Sequence, residues 1–300
     1  MKRRDFLTSG VLAGSVMTAS SASAALTPVT ASAPFPGDRR SKAEFRMCSQ
    51  LGIIPGNSTE DKLKWMKSHG FEAFEIGGLG DDYLDWKKRA DDAGLLIASI
   101  CIGSFGNKLT DEDPEKRKQG FDELKVQIER AGALGANGVV YVPATGKPDR
   151  PNWRIRELTV EMLKELGPFA AEHKTSINLE PLRRYEAWFL RQVSDAAAIC
   201  KDAGVPGVGV NPDTYHMYLE EPDDMAALIA GGEFVKHVHL GNGTKRQLPG
   251  QDNHSHVKAM RGLKYIGYAG FIGYECGVNG DKETEVPKSV EYLRKCWEEA

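Results

Sequence analysis

Eight short apolar segments with the composition of β-strands alternate along this chain with eight segments of helical periodicity. The strand candidates are 45–53, 73–76, 96–102, 138–142, 176–180, 207–211, 234–240 and 271–274. The helix candidates are 59–69, 81–94, 111–135, 155–173, 192–203, 221–230, 255–265 and 284–298. Three of these helices are predicted to start at capping residues: Ser58 with Asp61, Asp111, and Ser194 with Asp195. Because eight strand–helix pairs in one domain are typical of a closed barrel, we predict a single-domain α/β fold, a (β/α)8 TIM barrel, over residues 41–300. No G-x-G-x-x-G motif follows the first strand, which argues against a dinucleotide-binding sheet.

The first 40 residues have the pattern of an export signal and a spacer. Positions 3–7 read R-R-D-F-L, residues 6–18 are moderately apolar, and A-S-A at 22–24 is a small-residue cleavage site. This pattern resembles a twin-arginine signal, so we predict a signal peptide over 1–24, export of the folded protein by the Tat machinery, and a periplasmic or secreted location. A membrane anchor is the alternative, but the apolar segment is shorter than the ~20 residues of a span. Residues 25–40, rich in Ser, Thr, Pro and Ala, predict a flexible spacer.

Charge and cysteine content narrow the classes of function. The chain has a net charge of −3, and the predicted signal peptide contributes +2 of its charge, so the rest of the chain carries −5. This acidity argues against a nucleic-acid partner, since such proteins usually present a basic surface. The five cysteines form no C-x-x-C motif and their odd number excludes complete pairing, so we interpret them as mostly buried apolar side chains.

Four consecutive strand candidates, the fifth to the eighth, end near a side chain that can bind a metal ion. These side chains are Glu180, Asp213, His239 and Glu275. In a TIM barrel the carboxyl ends of the strands form the face that carries the chemistry, so we expect the four to lie together. Taken singly, a carboxylate at a strand end is more often a salt-bridge partner or a helix cap than a metal ligand, but four such side chains on consecutive strand ends are hard to explain as coincidence. Three carboxylates in one poorly solvated pocket repel each other unless a divalent cation is bound, and these donors suit Mn²⁺, Co²⁺ or Mg²⁺ better than a thiolate zinc site.

Other polar and aromatic residues lie near these strand ends. His237 shares a strand face with His239, because side chains alternate along a strand, and we expect it to be a core histidine or a partner of a ligand. His216 follows Asp213 by three residues and is expected within reach of the same pocket. The sequence leaves open whether the following residues serve the site or only packing and salt bridges: Glu75, Trp153, Trp188, Arg183 and Arg184. We assign no role to His254 and His256, which the sequence places in a polar loop.

Several short motifs together resemble one family. They are L-E-P-L-R-R-Y-E at 179–186, D-x-x-H at 213–216, H-V-H at 237–239, R-x-x-P-G at 246–250 and Y-E-C at 274–276. In this order they resemble the xylose-isomerase-like barrel superfamily of sugar isomerases and epimerases, with the closest likeness to ketose 3-epimerases of the tagatose and psicose type. The intervals between the four candidate ligands, 33, 26 and 36 residues, are similar to the ligand spacing of that family.

The resemblance implies roles for individual residues. It implies that Glu180, Asp213, His239 and Glu275 bind one divalent ion, most typically Mn²⁺, with Co²⁺, Mg²⁺ or Zn²⁺ as alternatives. Glu180 and Glu275 would also be the acid/base pair, and the substrate oxygens would be held by Glu186, His216 and Arg246. The segment between His239 and Pro249 is one residue longer than in the family, so Lys245 or Arg246 could take the arginine position. We choose Arg246, because it keeps its distance to Pro249-Gly250. Asp252 replaces a glycine of the family in the same loop. Relatives of this kind also imply a homodimer or homotetramer.

We therefore predict a metal-dependent sugar epimerase that inverts C3 of a ketose through a cis-enediolate, with one glutamate on each face of the substrate. One alternative is an aldose–ketose isomerase, or an enolising epimerase, lyase or hydratase that acts on an oxidised sugar or an inositol derivative. A second alternative, from another class, is a periplasmic sugar-binding protein without turnover. An endonuclease of the same superfamily is disfavoured, because strands two to four end on Ile76-Gly77, Ile102-Gly103 and Val142-Pro143 rather than on histidines.

Overall fold

The computed structural model describes residues 39–300. The predicted signal peptide and residues 25–38 of the predicted spacer lie outside the described residues. The described residues contain eight strands, and each overlaps a predicted segment: β1 (Arg46–Ser49), β2 (Ala73–Gly77), β3 (Leu96–Gly103), β4 (Val139–Tyr141), β5 (Ile177–Leu179), β6 (Val208–Val210), β7 (Val238–Leu240) and β8 (Phe271–Tyr274). The predicted TIM barrel is therefore confirmed.

Nine α-helices surround these strands in residues 39–300. They are α1 (Thr59–Ser68), α2 (Tyr83–Ala93), α3 (Pro114–Leu134), α4 (Asn152–Glu172), α5 (Val193–Ala203), α6 (Thr214–Glu220), α7 (Asp224–Gly231), α8 (Val257–Ile266) and α9 (Lys282–Glu299). The sequence pattern does not predict α6, because seven residues are too few for a periodic signal. This helix begins where the Asp213 carboxylate accepts a hydrogen bond from the Tyr215 N–H at 2.9 Å. None of the described helices combines the length and the apolar character that crossing a membrane requires.

The sheet is parallel throughout and closes on itself. Strands β2 to β6 pair in chain order, and β8 pairs with both β1 and β7. Isolated bridges between Gln50 and Glu75 and between Asp213 and His239 join the two parts of the sheet. A closed parallel barrel places the carboxyl ends of all eight strands at one face. The candidate ligands of β5 to β8 therefore reach a common space.

The two faces of each strand meet different surroundings. On β2, Phe74 and Ile76 pack into the main hydrophobic core, whereas Glu75 between them is buried against His237 and His239. TIM-barrel interiors are usually filled by branched apolar side chains. Here one small apolar cluster consists of Cys48, Ala73, Ala98 and Phe271. Polar side chains are also buried on the strands or directly after them, among them Ser99, Asn178, Asn211, His237 and His239. So many buried polar side chains indicate that the interior of the barrel supports a functional site as well as the hydrophobic core.

A capping box begins helix α1, as the sequence predicts. Ser58 Oγ accepts from the Asp61 N–H at 3.0 Å, and the Asp61 carboxylate accepts from the Ser58 N–H at 3.2 Å. Ser58→Ala is expected to lower the free energy of unfolding by about 1 kcal/mol, because a helix N–H loses its acceptor. Urea denaturation measures this change. Ser104→Ala is the matched control, because Ser104 precedes a 3₁₀ helix without making a side-chain cap; equal losses in both variants would contradict the capping argument.

Two other predicted helix starts are wrong. Helix α3 begins at Pro114 and is capped by Asp113, while Asp111 only accepts a hydrogen bond from the Asp113 N–H. Helix α5 begins one residue before Ser194, and the carboxylate of Glu221 accepts from the N–H of its first residue at 2.7 Å. Such a partner, distant in sequence, cannot be inferred from the local pattern.

Candidate active site

The four side chains predicted as metal ligands converge at the carboxyl face of the barrel. Glu180 and Glu275 directly follow β5 and β8, Asp213 precedes α6, and His239 lies in β7. One donor atom of each lies within 4.8 Å of the donor atoms of the others. Asp213, His239 and Glu180 are buried, while Glu275 faces the opening with 24% of its side chain exposed. The structure thus brings together the four residues named from the sequence.

The two ring nitrogens of His239 face different carboxylates. Nδ1 lies 3.0 Å from Glu180 Oε1 and 2.7 Å from Glu275 Oε2. Nε2 lies on the inner side, 3.1 Å from Oε2 of Glu75. The amide nitrogen of Asn211 is 3.1 Å from Glu180 Oε1 and 3.0 Å from His239 Nδ1. Nδ1 is therefore the nitrogen that His239 presents to the other three predicted ligands.

Arg246 reaches into the same cluster. Its Nη2 donates to Asp213 Oδ2 at 2.9 Å and to Glu275 Oε2 at 2.7 Å, and its Nε donates to the carbonyl oxygen of Glu275 at 3.0 Å. The residue has a φ of +51°, a left-handed conformation that is uncommon for a residue other than glycine and is found at functional sites. Of the two residues that the sequence leaves open, Arg246 rather than Lys245 contacts these carboxylates.

His216 is buried beside Asp213. Its Nδ1 accepts a hydrogen bond from the backbone N–H of Arg183 at 3.2 Å, and its Nε2 lies 3.5 Å from Asp213 Oδ2. Burial lowers the pKa of His216, so the ring is neutral near pH 7 and its proton is on Nε2. No hydrogen-bond partner of that nitrogen is found among the described residues. His216 thus has a donor available for a substrate oxygen.

Glu186 is not part of the four-residue cluster. Its Oε1 accepts from Arg183 Nε at 2.5 Å. The Arg183 guanidinium lies 4.3 Å from the ring centre of Tyr215, and the Arg246 guanidinium lies 5.0 Å from the same ring. Tyr215 therefore connects the loop after β5 with the loop after β7. The neighbouring Arg184 makes a salt bridge with Glu220 at 2.8 Å, so both arginines of this loop already have carboxylate partners.

The buried charged groups of the site shift one another's pKa values. Burial raises the pKa of Glu180, and the charge of Glu275 adds to that shift. Burial also acts to raise the pKa of Glu275, but His239 and Arg246 outweigh it and lower that pKa. For His239, burial acts to lower the pKa, and the carboxylates of Glu75 and Glu275 raise it well above its ordinary value. The carboxylates of the site thus outnumber the positively charged groups near them, His239 and Arg246.

The donor set fits one divalent cation. Three carboxylates and one imidazole nitrogen supply mostly hard oxygen donors, which suit Mn²⁺, Co²⁺ or Mg²⁺. A cation at this place would also relieve the repulsion between the carboxylates. On the far side of the ring, His239 meets a buried carboxylate, as metal-binding histidines commonly do. The described residues therefore contain a candidate metal site.

Some features of the site are not evident from the sequence. The pattern leaves the role of Glu75 open and gives no indication for Asn211, although Asn211 lies two residues before Asp213. Trp153 is 67% exposed, so it does not fill the space between barrel and helices. His256 lies in the loop before α8, as the sequence predicts, but it is completely buried, with Nε2 3.3 Å from the carbonyl oxygen of Gly241.

Comparison with known proteins places this architecture in a family. The family model described as xylose isomerase-like TIM barrel matches residues 63–296, a range that includes all four predicted ligands. The chain belongs to the xylose isomerase-like TIM barrel family. Among its relatives, the D-psicose 3-epimerase of Agrobacterium fabrum (strain C58) is 31% identical over 214 residues, which are 66% of this chain and 73% of that protein. The 3-dehydro-D-guloside 4-epimerase of Escherichia coli (strain K12) is 26% identical over 256 residues, which are 81% of this chain and 97% of that protein.

Solved structures agree with this family assignment. The apo crystal structure of 3-keto-D-glucoside 4-epimerase from E. coli has a TM-score of 0.76 at 26% identity, covering 84% of this chain and 100% of that one. The crystal structure of D-psicose 3-epimerase in the presence of D-fructose also has a TM-score of 0.76, at 19% identity, and supports the fold alone. The sequence relatives and the 26% identical E. coli structure together confirm the prediction of a carbohydrate epimerase, an enzyme of the isomerase class.

Proposed function

We propose that this chain is a metal-dependent sugar epimerase that inverts a carbinol carbon next to a ketone, with C3 of a ketose as the first candidate. The observation that carries the proposal is the convergence of Glu180, Asp213, His239 and Glu275 within 4.8 Å at the carboxyl face of the barrel. Two of the four are glutamates that directly follow strands β5 and β8. These strands are three positions apart around the eight-stranded barrel, so the two glutamates approach a bound sugar from different sides.

The two glutamates carry the proton transfers in this proposal. One carboxylate removes the hydrogen of the carbinol carbon as a proton, the electron pair of that C–H bond forms a C=C bond to the carbonyl carbon, and the π pair of the carbonyl moves to its oxygen to give a cis-enediolate. The other glutamate then delivers a proton to the same carbon from the opposite face. The configuration is inverted without any net oxidation or reduction.

The other residues bind and orient the sugar. His216 would donate from its free Nε2–H to a substrate oxygen, and Arg246 would stabilise negative charge on the enediolate. Glu186, held by Arg183, would accept from a sugar hydroxyl. A cation held by Glu180, Asp213, His239 Nδ1 and Glu275 would polarise the carbonyl and hydroxyl oxygens of the substrate. Mn²⁺ is the ion we propose.

One observation favours a second candidate substrate, an oxidised glycoside. The similarity to the 3-dehydro-D-guloside 4-epimerase extends over 97% of that protein, whereas the similarity to the D-psicose 3-epimerase extends over 73%. In such a sugar the ketone is at C3 and the carbinol carbon to be inverted is at C4. In a ketose the ketone is at C2 and the carbinol carbon is at C3, so both substrates present a carbinol carbon next to a ketone. The same pair of glutamates would therefore serve either substrate.

Proton NMR of candidate sugars in D₂O tests the proposal. The purified chain, loaded with Mn²⁺ and then treated with EDTA, is incubated with free ketoses and with a 3-keto-glycoside. We expect deuterium to enter at C3 of a ketose, or at C4 of the keto-glycoside, together with the epimeric product and only in the metal-loaded protein. Deuterium at C1 with an aldose product would instead indicate an isomerase, and no exchange in a protein that binds sugar would indicate a binding protein.

Location and assembly are further parts of the proposal. The twin-arginine pattern supports export by the Tat machinery and a periplasmic or secreted enzyme, and the family resemblance supports a homodimer or homotetramer. Cell fractionation and light scattering of the purified chain test these two points.

A further inference from the structure

Glu75 on β2 lies directly beneath the four proposed ligands and contacts one of them. Its side chain is completely buried. Oε1 lies 2.6 Å from His237 Nε2, and Oε2 lies 3.1 Å from His239 Nε2. The thiols of Cys48 and Cys101 lie 3.5 Å from Oε1 and Oε2 respectively. One carboxylate therefore faces four donors, one pair on each of its oxygens.

The backbone of β8 leaves room for this carboxylate. A Cβ at Gly273 would overlap Glu75 Oε1 and would lie 2.7 Å from Cys48 Sγ. Any side chain larger than that of glycine at position 273 of β8 would therefore fill the space that the Glu75 carboxylate occupies. The position of Glu75 is fixed by the barrel itself.

The groups around Glu75 make its carboxylate a hydrogen-bond acceptor. The ring nitrogens of His237 and His239 and the thiols of Cys48 and Cys101 can each donate a hydrogen bond to one of its two oxygens. The cluster is therefore a hydrogen-bond network around one buried carboxylate.

We propose that Glu75 is a positioning residue of the metal centre: its carboxylate accepts the Nε2–H of His239 and so holds Nδ1 toward Glu180 and Glu275. The proposal rests on the metal-dependent function proposed above. Glu75 touches neither the metal nor the sugar in this arrangement. Its effect passes through His239, whose orientation and basicity at Nδ1 depend on the acceptor at Nε2. His237 and the two thiols hold the carboxylate in turn.

Mn²⁺ titration of Glu75→Gln tests this role, with Asp224→Asn as the matched control. Asp224 is also a buried carboxylate paired with a histidine, His254 at 3.3 Å, but this pair lies outside the four-ligand cluster. We expect Glu75→Gln to raise the Mn²⁺ dissociation constant about 10- to 100-fold, as loss of such partners typically does, and Asp224→Asn to leave it unchanged. The substrate KM at saturating Mn²⁺ is expected to change little, because Glu75 does not contact the sugar. If Glu75→Gln does not fold, Glu75→Asp, whose oxygens are set back from His239, is expected to weaken binding in the same direction.

Imidazole ¹H–¹⁵N spectra of the metal-free protein give a readout independent of turnover. We expect a slowly exchanging, downfield Nε2–H resonance for His239, assigned with His239→Gln, that Glu75→Gln abolishes and Asp224→Asn keeps. Unchanged Mn²⁺ affinity in a folded Glu75→Gln variant would overturn the proposal. Two metal ions per wild-type chain with one lost in Glu75→Gln would also overturn it, since Glu75 would then be a ligand. A wild-type chain that binds no Mn²⁺ would instead reject the metal-dependent function on which the proposal rests.

Discussion

Glu180→Gln and Glu275→Gln are each expected to lower kcat for epimerisation by roughly 10²–10⁴-fold, the usual contribution of a general acid or base. A neutral amide has nearly the shape of the carboxylate but can neither remove nor deliver the proton. The remaining glutamate still faces one side of the sugar. Each variant is therefore expected to exchange deuterium into only one of the two epimers without inverting it. NMR in D₂O at saturating Mn²⁺, starting from each epimer separately, measures both effects.

The matched control for this pair is Glu72→Gln, the same chemical change at the opposite end of the barrel. Glu72 forms an exposed ion pair with Arg46 at 2.9 Å, before β2 begins, so its replacement is expected to leave kcat unchanged. Because both site glutamates are also proposed ligands, the Mn²⁺ content of each variant is measured alongside. Epimerisation near the wild-type rate in either metal-loaded variant would contradict the two-glutamate mechanism.

Removal of the metal is the second change with a large expected effect. The cation is proposed to stabilise the charge that develops on the substrate oxygens, a contribution of several kcal/mol. A loss of about 4 kcal/mol of this stabilisation corresponds to a rate about 10³-fold lower. Chelation with EDTA followed by dialysis is expected to reduce kcat/KM by at least this factor. Addition of Mn²⁺ is expected to restore it.

Two measurements separate metal loss from unfolding. The far-ultraviolet circular dichroism of the metal-free protein is expected to match that of the loaded protein, because the barrel core does not depend on the ion. Elemental analysis confirms that the ion has been removed. Full activity in a folded chain without bound metal would contradict the proposed function, and activity restored equally by Mg²⁺, Co²⁺ and Mn²⁺ would contradict only the choice of Mn²⁺.

The strand ends explain why much of this site is visible in the sequence. Glu180, Asp213, His239 and Glu275 each lie at or just after a short apolar strand, and parallel strands of a barrel bring such positions to one face. Local pattern and one rule of topology are therefore sufficient to group them. The loop after β7 is different. The spacing to Pro249-Gly250 favours Arg246 over Lys245 in this loop, but the positive φ at Arg246 and its hydrogen bonds to Asp213 and Glu275 have no local sequence signal.

Partners inside the barrel are a second kind of information that sequence patterns lack. Glu75 and His239 are 164 residues apart, and their contact arises only because β2 and β7 face each other across the closed barrel. The space beside Gly273 that the Glu75 carboxylate occupies has the same origin. Helix α6 is too short to give a periodic sequence pattern. The hydrogen bond from the first residue of α5 to Glu221 joins residues that are distant in sequence.

The barrel, its eight strands and the four strand-end residues could be predicted from the sequence, because hydrophobic periodicity and strand termini are local properties of the chain. The orientation of those residues depends on the folded barrel. There, Nδ1 of His239 faces the carboxylates, Arg246 contacts Asp213 and Glu275, and Glu75 lies behind the ring. Hydrogen-bond geometry and burial depend on the distances between strands, and these distances are set when the sheet closes.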